Sequence, residues 1–157
     1  MFSFFKKKYG KHGVAVFEID SPKFSITPNS FDLESSLKKA GIDYCVVAQG
    51  YIVFEGYVFD SDIPLMIGIH FNFLKIEYIE IFRTLEYYQS EKYDVNASFA
   101  ELSGILKKKY GSPYILTSAS TGGRPSEQWM TSNYIVNHYI IERFGPEEHV
   151  HINFYKK

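Results

Sequence analysis

Three of the chain's five histidines fall in one short stretch, HYIIERFGPEEHVH at 138–151, together with Glu142, Glu147 and Glu148. Imidazoles and carboxylates are zinc ligands and proton carriers. A zinc site needs at least three protein ligands in one place, and this spacing is not the helical HExxH arrangement. The stretch instead reads as part of a β-hairpin, 134–155, turning around Gly145-Pro146-Glu147. Side chains alternate between the faces of a strand. With a turn centred near residue 146, Val136, His138, Ile140, Glu142, Val150, Ile152 and Phe154 share one face. Ile135, Asn137, Tyr139, Ile141, Arg143, His149, His151 and Asn153 share the other. His149 and His151 therefore offer two metal ligands side by side, or are simply two strand histidines on a polar surface. His138 points the opposite way and is expected to be a hydrogen-bonded core residue. A slip of one residue would exchange the two faces.

Other reactive residue types have plainer readings. Asp60 and Asp62 form a D-x-D pair of the kind that can hold Mg²⁺. Their neighbours Phe59, Ser61 and Pro64 make a turn the simpler expectation. Cys45 lies in the apolar run DYCVVA, with nothing beside it to lower a thiol pKa, so a buried inert thiol is expected. Gly122-Gly123-Arg124 lacks the GK[ST] ending of a phosphate loop. The chain carries no specific catalytic motif.

The elements that must position these residues are mostly strands. VAVFEI (14–19) and KFSIT (23–27) read as short strands around Ser21-Pro22. Leu33, Leu37 and Ala40 mark one face of a helix of about three turns, with Pro28 near its start and Gly41 at its end. IDYCVVA (42–48) and YIVFEGYVF (51–59) flank Gln49-Gly50 as a hairpin. LMIGIHFNF (65–73) and KIEYIEIFR (75–83) follow; the second alternates until Tyr78 and shifts phase at Ile79, which suggests a bulge. A helix is the alternative there, since Leu74, Tyr78, Ile81, Phe82 and Leu85 share a helical face, but the Ile, Phe and Tyr content favours strand. Phe99, Leu102, Ile105, Leu106 and Tyr110 then form an apolar stripe at helical period. Ser98 and Glu101 have capping-box spacing, and Asn96 is the other candidate cap. Lys107, Lys108 and Lys109 sit where they favour the helix dipole, which is a simpler account of the run than nucleic-acid binding. TSASTGGRPS (117–126) reads as a mobile polar loop before the closing strands. The expected fold class is α+β: a largely antiparallel sheet of about seven or more strands, with two helices on one face.

A length of 157 residues fits one α+β domain, residues 1–157, with 1–11 as a basic N-terminal segment. Tyr, Phe and Trp make up 18% of the chain, a composition suited to sheet and to contact surfaces. One cysteine permits no internal disulfide, and the longest charge-free apolar run, residues 63–74, is too short to span a bilayer. A cytoplasmic protein is expected. The net charge is −1, but six of the 17 basic residues lie in 1–11 and 156–157; the other 11 face 18 acidic ones, leaving −7 on residues 12–155. Such a body argues against nucleic acid as the partner and suits a basic protein.

The C-terminal part, residues 96–155, runs from a helix ending in LKKKYGSP through a polar stretch and the lone Trp129 to the hairpin NYIVNHYIIERFGPEEHVHINFY. This order resembles the small immunity proteins of bacterial contact-dependent growth inhibition and related polymorphic toxin systems. The resemblance implies a cytosolic protein, without enzymatic activity or cofactor, that binds a cognate toxin domain, often a nuclease, and occludes its active site. It carries no residue role onto this chain. From the acidic segment and its aromatics, the expected contact residues are Glu55, Tyr57, Asp60, Asp62, Glu77 and Glu80. The alternatives are a small metal-assisted enzyme using His149 and His151, or a small-ligand-binding domain.

Overall fold

The computed structural model describes residues 15–29, 32–48, 50–91, 93–117, 124–142 and 144–156. The basic segment 1–11, Gln49, Gly122, Gly123 and Arg143 lie outside them, as does most of the polar loop. Among the described residues, ten strands and three helices follow one another: β1 (Phe17–Ile19), β2 (Phe24–Ile26), α1 (Leu33–Lys39), β3 (Tyr44–Ala48), β4 (Tyr51–Gly56), β5 (Leu65–Asn72), β6 (Lys75–Arg83), α2 (Leu85–Gln89), α3 (Val95–Tyr110), β7 (Ile115–Thr117), β8 (Ser126–Met130), β9 (Tyr134–Glu142) and β10 (Pro146–Phe154). Eight of the strands form one sheet in the order β3-β4-β5-β6-β10-β9-β8-β7, antiparallel throughout; β1 and β2 form a separate hairpin. The fold is α+β, with strands dominant. No described helix is long and apolar enough to cross a membrane.

Alternation of Ile, Leu and Val gives the sheet its dry face. Leu65, Ile67, Ile69, Ile79, Ile81, Val136, Val150 and Ile152 are wholly buried there. Phe17, Ile19 and Ile26 of the small hairpin, Leu33 and Leu37 of α1, and Leu102 and Leu106 of α3 complete the same core. Helix α1 is shorter than its apolar spacing suggests. It has seven residues, and Ala40 is its exposed C-cap instead of a core position. The short helix α2, capped by the Thr84 side chain, has no apolar periodicity to announce it and buries none of its residues.

Two further expectations need correction. Cys45 is exposed, because β3 is an edge strand that pairs only with β4. Helix α3 is capped by Asp94, whose carboxylate accepts the Ala97 amide at 2.7 Å, and not by Ser98 or Asn96. Ser98 is buried one turn into the helix, where its hydroxyl has another use.

That use is a line of buried polar groups joining α3 to the sheet. Arg83, at the end of β6, donates from Nε to Ser98 Oγ at 2.8 Å and from its terminal nitrogen to Glu101 at 2.6 Å. Its guanidinium lies 4.3 Å from the Tyr87 ring centre. Ser98 in turn donates to Glu148. Glu148 faces His138 Nε2 at 2.7 Å, and His138 Nδ1 faces Glu127 at 3.3 Å. Glu127 also takes bonds from Ser103 at 2.8 Å and Lys107 at 2.9 Å. The Phe99 ring stacks on the His138 imidazole at 3.9 Å. Burial alone would push the Glu127 carboxyl up, but hydrogen bonds from His138, Lys107 and Ser103 outweigh it and bring the pKa down to about 2.

The line generates two predictions. His138→Phe keeps the stack on Phe99 but strips two buried carboxylates of their shared partner. It should destabilise the protein by about 3–5 kcal/mol, read from urea unfolding at pH 7. The Glu127 carboxylate ionises more readily folded than unfolded, so its stabilisation is complete above pH 4.5 and fades as pH falls towards about 2. Glu127→Gln should therefore be less stable at pH 7 and lose less stability than the parent between pH 4.5 and 2.

Candidate functional site

The opposite face of the sheet gathers most of the chain's remaining chemistry. The β9–β10 register pairs Glu142 with Pro146, His138 with Val150 and Asn137 with His151. These pairs centre on residue 144, two positions before the turn centre expected from the sequence. A shift of two preserves parity, so His138 still faces the core while His149 and His151 face outward. In β6 the register slips between the His70–Tyr78 and Phe71–Ile76 pairs, leaving Glu77 as the extra residue of a bulge. After that slip Tyr78, Glu80 and Phe82 face outward, and Ile79, Ile81 and Arg83 face the core.

Five neighbouring strands then bring their rings together. Tyr51 of β4 stacks on His70 of β5 at 4.1 Å, His70 on Tyr78 of β6 at 4.1 Å, and Tyr78 on His151 of β10 at 4.8 Å. Tyr139 of β9 packs edge-on against His151 at 5.4 Å and alongside His149 at 5.9 Å. Gly68 permits the first step. A Cβ there would lie 2.7 Å from the Tyr51 ring and hydroxyl, so the absence of a side chain lets the phenol lie across the strand. Tyr51, His70, Tyr78, Tyr139, His149 and His151 all remain partly exposed.

Glu80 sits at the centre of this ladder. His149 Nδ1 approaches its Oε1 at 2.6 Å, His151 Nε2 the same oxygen at 3.6 Å, and His70 Nε2 its Oε2 at 3.2 Å. Burial acts to push this carboxyl up. The hydrogen bonds from His149, His151 and His70 outweigh it and hold the group far below the usual carboxylate range. The bond to Glu80 in turn pushes His149 up, against the effect of burial. Burial, with Glu80 and Tyr78 nearby, raises the Tyr51 phenol to about 12. The ligand atoms of Glu80, His149 and His151 all lie within 4.8 Å of one another, so these three residues could hold a metal ion. Beside them, Glu80, Phe82, Tyr88, Tyr93, Glu147 and His149 line a cleft of about 350 Å³ at the end of the sheet.

The six contact residues expected from the sequence do not form one surface. Glu80 is occupied by histidines. Asp60 pairs with Lys109 of α3 at 2.5 Å, and its backbone amide donates to the Asp20 carboxylate at 2.7 Å, in a turn where Phe59 and Asp60 have positive φ. Asp62 is exposed in the same loop. The Tyr57 backbone is tied to Asp20 and Ser21 of the small hairpin. Glu55, opposite Met66, and Glu77, in the bulge, lie towards opposite ends of the sheet. The residues that do converge with His149 and His151 were Tyr51, His70, Tyr78 and Tyr139. Their signal was the period-two placement of Tyr and His in four separate strands, which becomes a site only once the strands are ordered.

No family model and no curated protein matches the sequence. A crystal structure of a DUF4309 family protein (YjgB) from Bacillus subtilis subsp. subtilis str. 168 is similar at 12% identity and a TM-score of 0.34, over 73% of this chain. The match spans 64% of that protein's length. At this level the likeness carries neither fold nor function to this chain.

Removing the central carboxylate should loosen the whole ladder. Glu80→Ala is expected to cost roughly 1–3 kcal/mol of stability in urea unfolding, the usual loss for hydrogen bonds to a charged group. It should also bring the Tyr51 phenol down from about 12 part of the way towards 10, measurable by NMR titration of labelled tyrosine.

Proposed function

We propose that this chain is an immunity protein: it binds a cognate antibacterial toxin domain, a nuclease, in the cytoplasm and occludes its active site. The observation that carries the reading is the partly exposed sheet face, with its ladder of Tyr51, His70, Tyr78, His151 and Tyr139. Tyrosine provides a large rigid contact area with a polar tip, and aromatic anchors dominate binding energy at protein interfaces. Val53, Met66, Phe82 and Ile141 are partly exposed on the same face and add apolar area between the rings.

Charge supports the same reading. A nuclease groove is basic because it holds phosphates. The −7 carried by residues 12–155 would speed the encounter with such a groove and disfavour nucleic acid itself as a ligand. Contact would centre on the ladder, while Glu55, Glu77, Asp60 and Asp62 would act through the field of the body and not as a shared patch.

Growth protection tests this directly. Where a toxin domain is encoded directly upstream of it, cells expressing the chain should survive that toxin. Tyr78→Ala combined with Tyr139→Ala should abolish protection while leaving a cooperative thermal transition. Protection by this variant equal to that of the parent, or no protection by the parent, would count against the reading. Association between the purified proteins should also slow as salt is raised, since steering between exposed charges is screened.

A further inference from the structure

We infer that Glu80, His149 and His151 form a zinc-binding site on the outer face of the sheet, with an open coordination position. The three donors come from adjacent strands β6 and β10, so the site is held by sheet pairing and not by a loop. His151 lies directly opposite Glu80, and His149 is two residues away on the same face. Two imidazoles and one carboxylate are a donor set that zinc takes in open sites, with water or a substrate in the remaining position. Ligands of a tetrahedral zinc ion stand roughly 3.3–3.5 Å apart given metal–ligand bonds of about 2.0–2.1 Å, and the three donor atoms here lie within 4.8 Å of one another. Glu80 Oε1 is 2.6 Å from His149 Nδ1 and 3.6 Å from His151 Nε2. A shift of under an ångström in the His149 ring would admit the ion in place of the proton they now share.

Each of the three donors is also oriented by a partner of its own. Glu147 Oε2 faces the far nitrogen of His149 at 3.3 Å, which turns Nδ1 towards the site. The Tyr139 hydroxyl lies against the His151 ring, 3.1 Å from Nδ1 and 3.4 Å from Nε2. His70 Nε2 holds Glu80 Oε2, leaving Oε1 as the ligating oxygen. His70 is itself clamped between the Tyr51 and Tyr78 rings. Partners that fix the orientation of ligating histidines and carboxylates are a recurring feature of metal sites, and their loss costs roughly 10–100-fold in affinity. A pair of strand histidines placed by surface polarity alone would not need them. The inference rests on these side chains and is independent of the toxin reading, so either can fail without the other.

The test uses the full chain, stripped with chelator and titrated with zinc chloride in a calorimeter, with bound metal counted after dialysis. The expected result is a single ion per chain and a rise in melting temperature on zinc addition. His151→Asn, which keeps a polar side chain on a partly exposed strand, should abolish both. Glu147→Gln leaves all three ligands in place and should weaken binding at least roughly tenfold. Cobalt(II) added to the parent protein should give visible absorption of the intensity of a four- or five-coordinate ion, a readout that needs no variant. No retained zinc, weak octahedral cobalt bands, or unchanged zinc binding in His151→Asn would each overturn the assignment; the last would mean scattered surface binding.

Discussion

In the β9–β10 hairpin Val150 stands opposite His138 and His151 opposite Asn137, and nearly everything distinctive about the protein follows from that register. Side chains alternate, so one parity goes to the core and the other to the surface. Val136, Ile140, Val150 and Ile152 need the dry side, and their burial against α3 and the β1–β2 hairpin holds the register. His138 is carried inward with them. His149 and His151 are carried outward, where β6 presents Glu80. Displacing β10 by one residue would bury His149 and His151 and expose Val150 and Ile152, which the hydrophobic term opposes.

The same residue types then serve two different ends on the two faces. Inside, one histidine stands between two carboxylates, Glu148 and Glu127, with Ser98, Ser103 and Lys107 meeting their other oxygens. Buried charges are tolerable only when fully partnered. Among the described residues no buried side-chain nitrogen or oxygen lacks a partner. Outside, one carboxylate stands among three histidines that keep some access to solvent. Three groups of that cluster could hold a metal ion. The inner groups are buried under α3 and fully partnered.

The outer face is also shaped by two local departures from regular strand. The bulge at Glu77 changes the phase of β6 so that Glu80 and Tyr78 arrive on the side of His70 and His151. Gly68 leaves room for the Tyr51 ring, which closes the ladder at β4. Both departures align an aromatic surface across strands that are far apart in sequence. A contact face and an ion site are compatible on such a surface, since an ion with an open position can be met by a donor from whatever docks there.

Much of the fold was legible in the residues themselves. Period-two alternation announced the long strands, the 3.6-residue stripe announced α3, and the phase change near Tyr78 announced the bulge. Parity alone placed His138 apart from His149 and His151, because it survives an error of two residues in the turn. The short helix α2 was silent, since a five-residue helix with no buried side chain leaves no periodic pattern. The exposure of Cys45 was silent too, because an apolar run does not say whether its strand is central or at an edge. The grouping of Glu80 with His70, and of Ser98 with Arg83 and Glu148, depended on the order of strands and the docking of α3. Sequence carries which face each side chain takes along its own strand. Only the tertiary structure decides which strands lie side by side, because that choice is made by the packing of whole faces and not by any one segment.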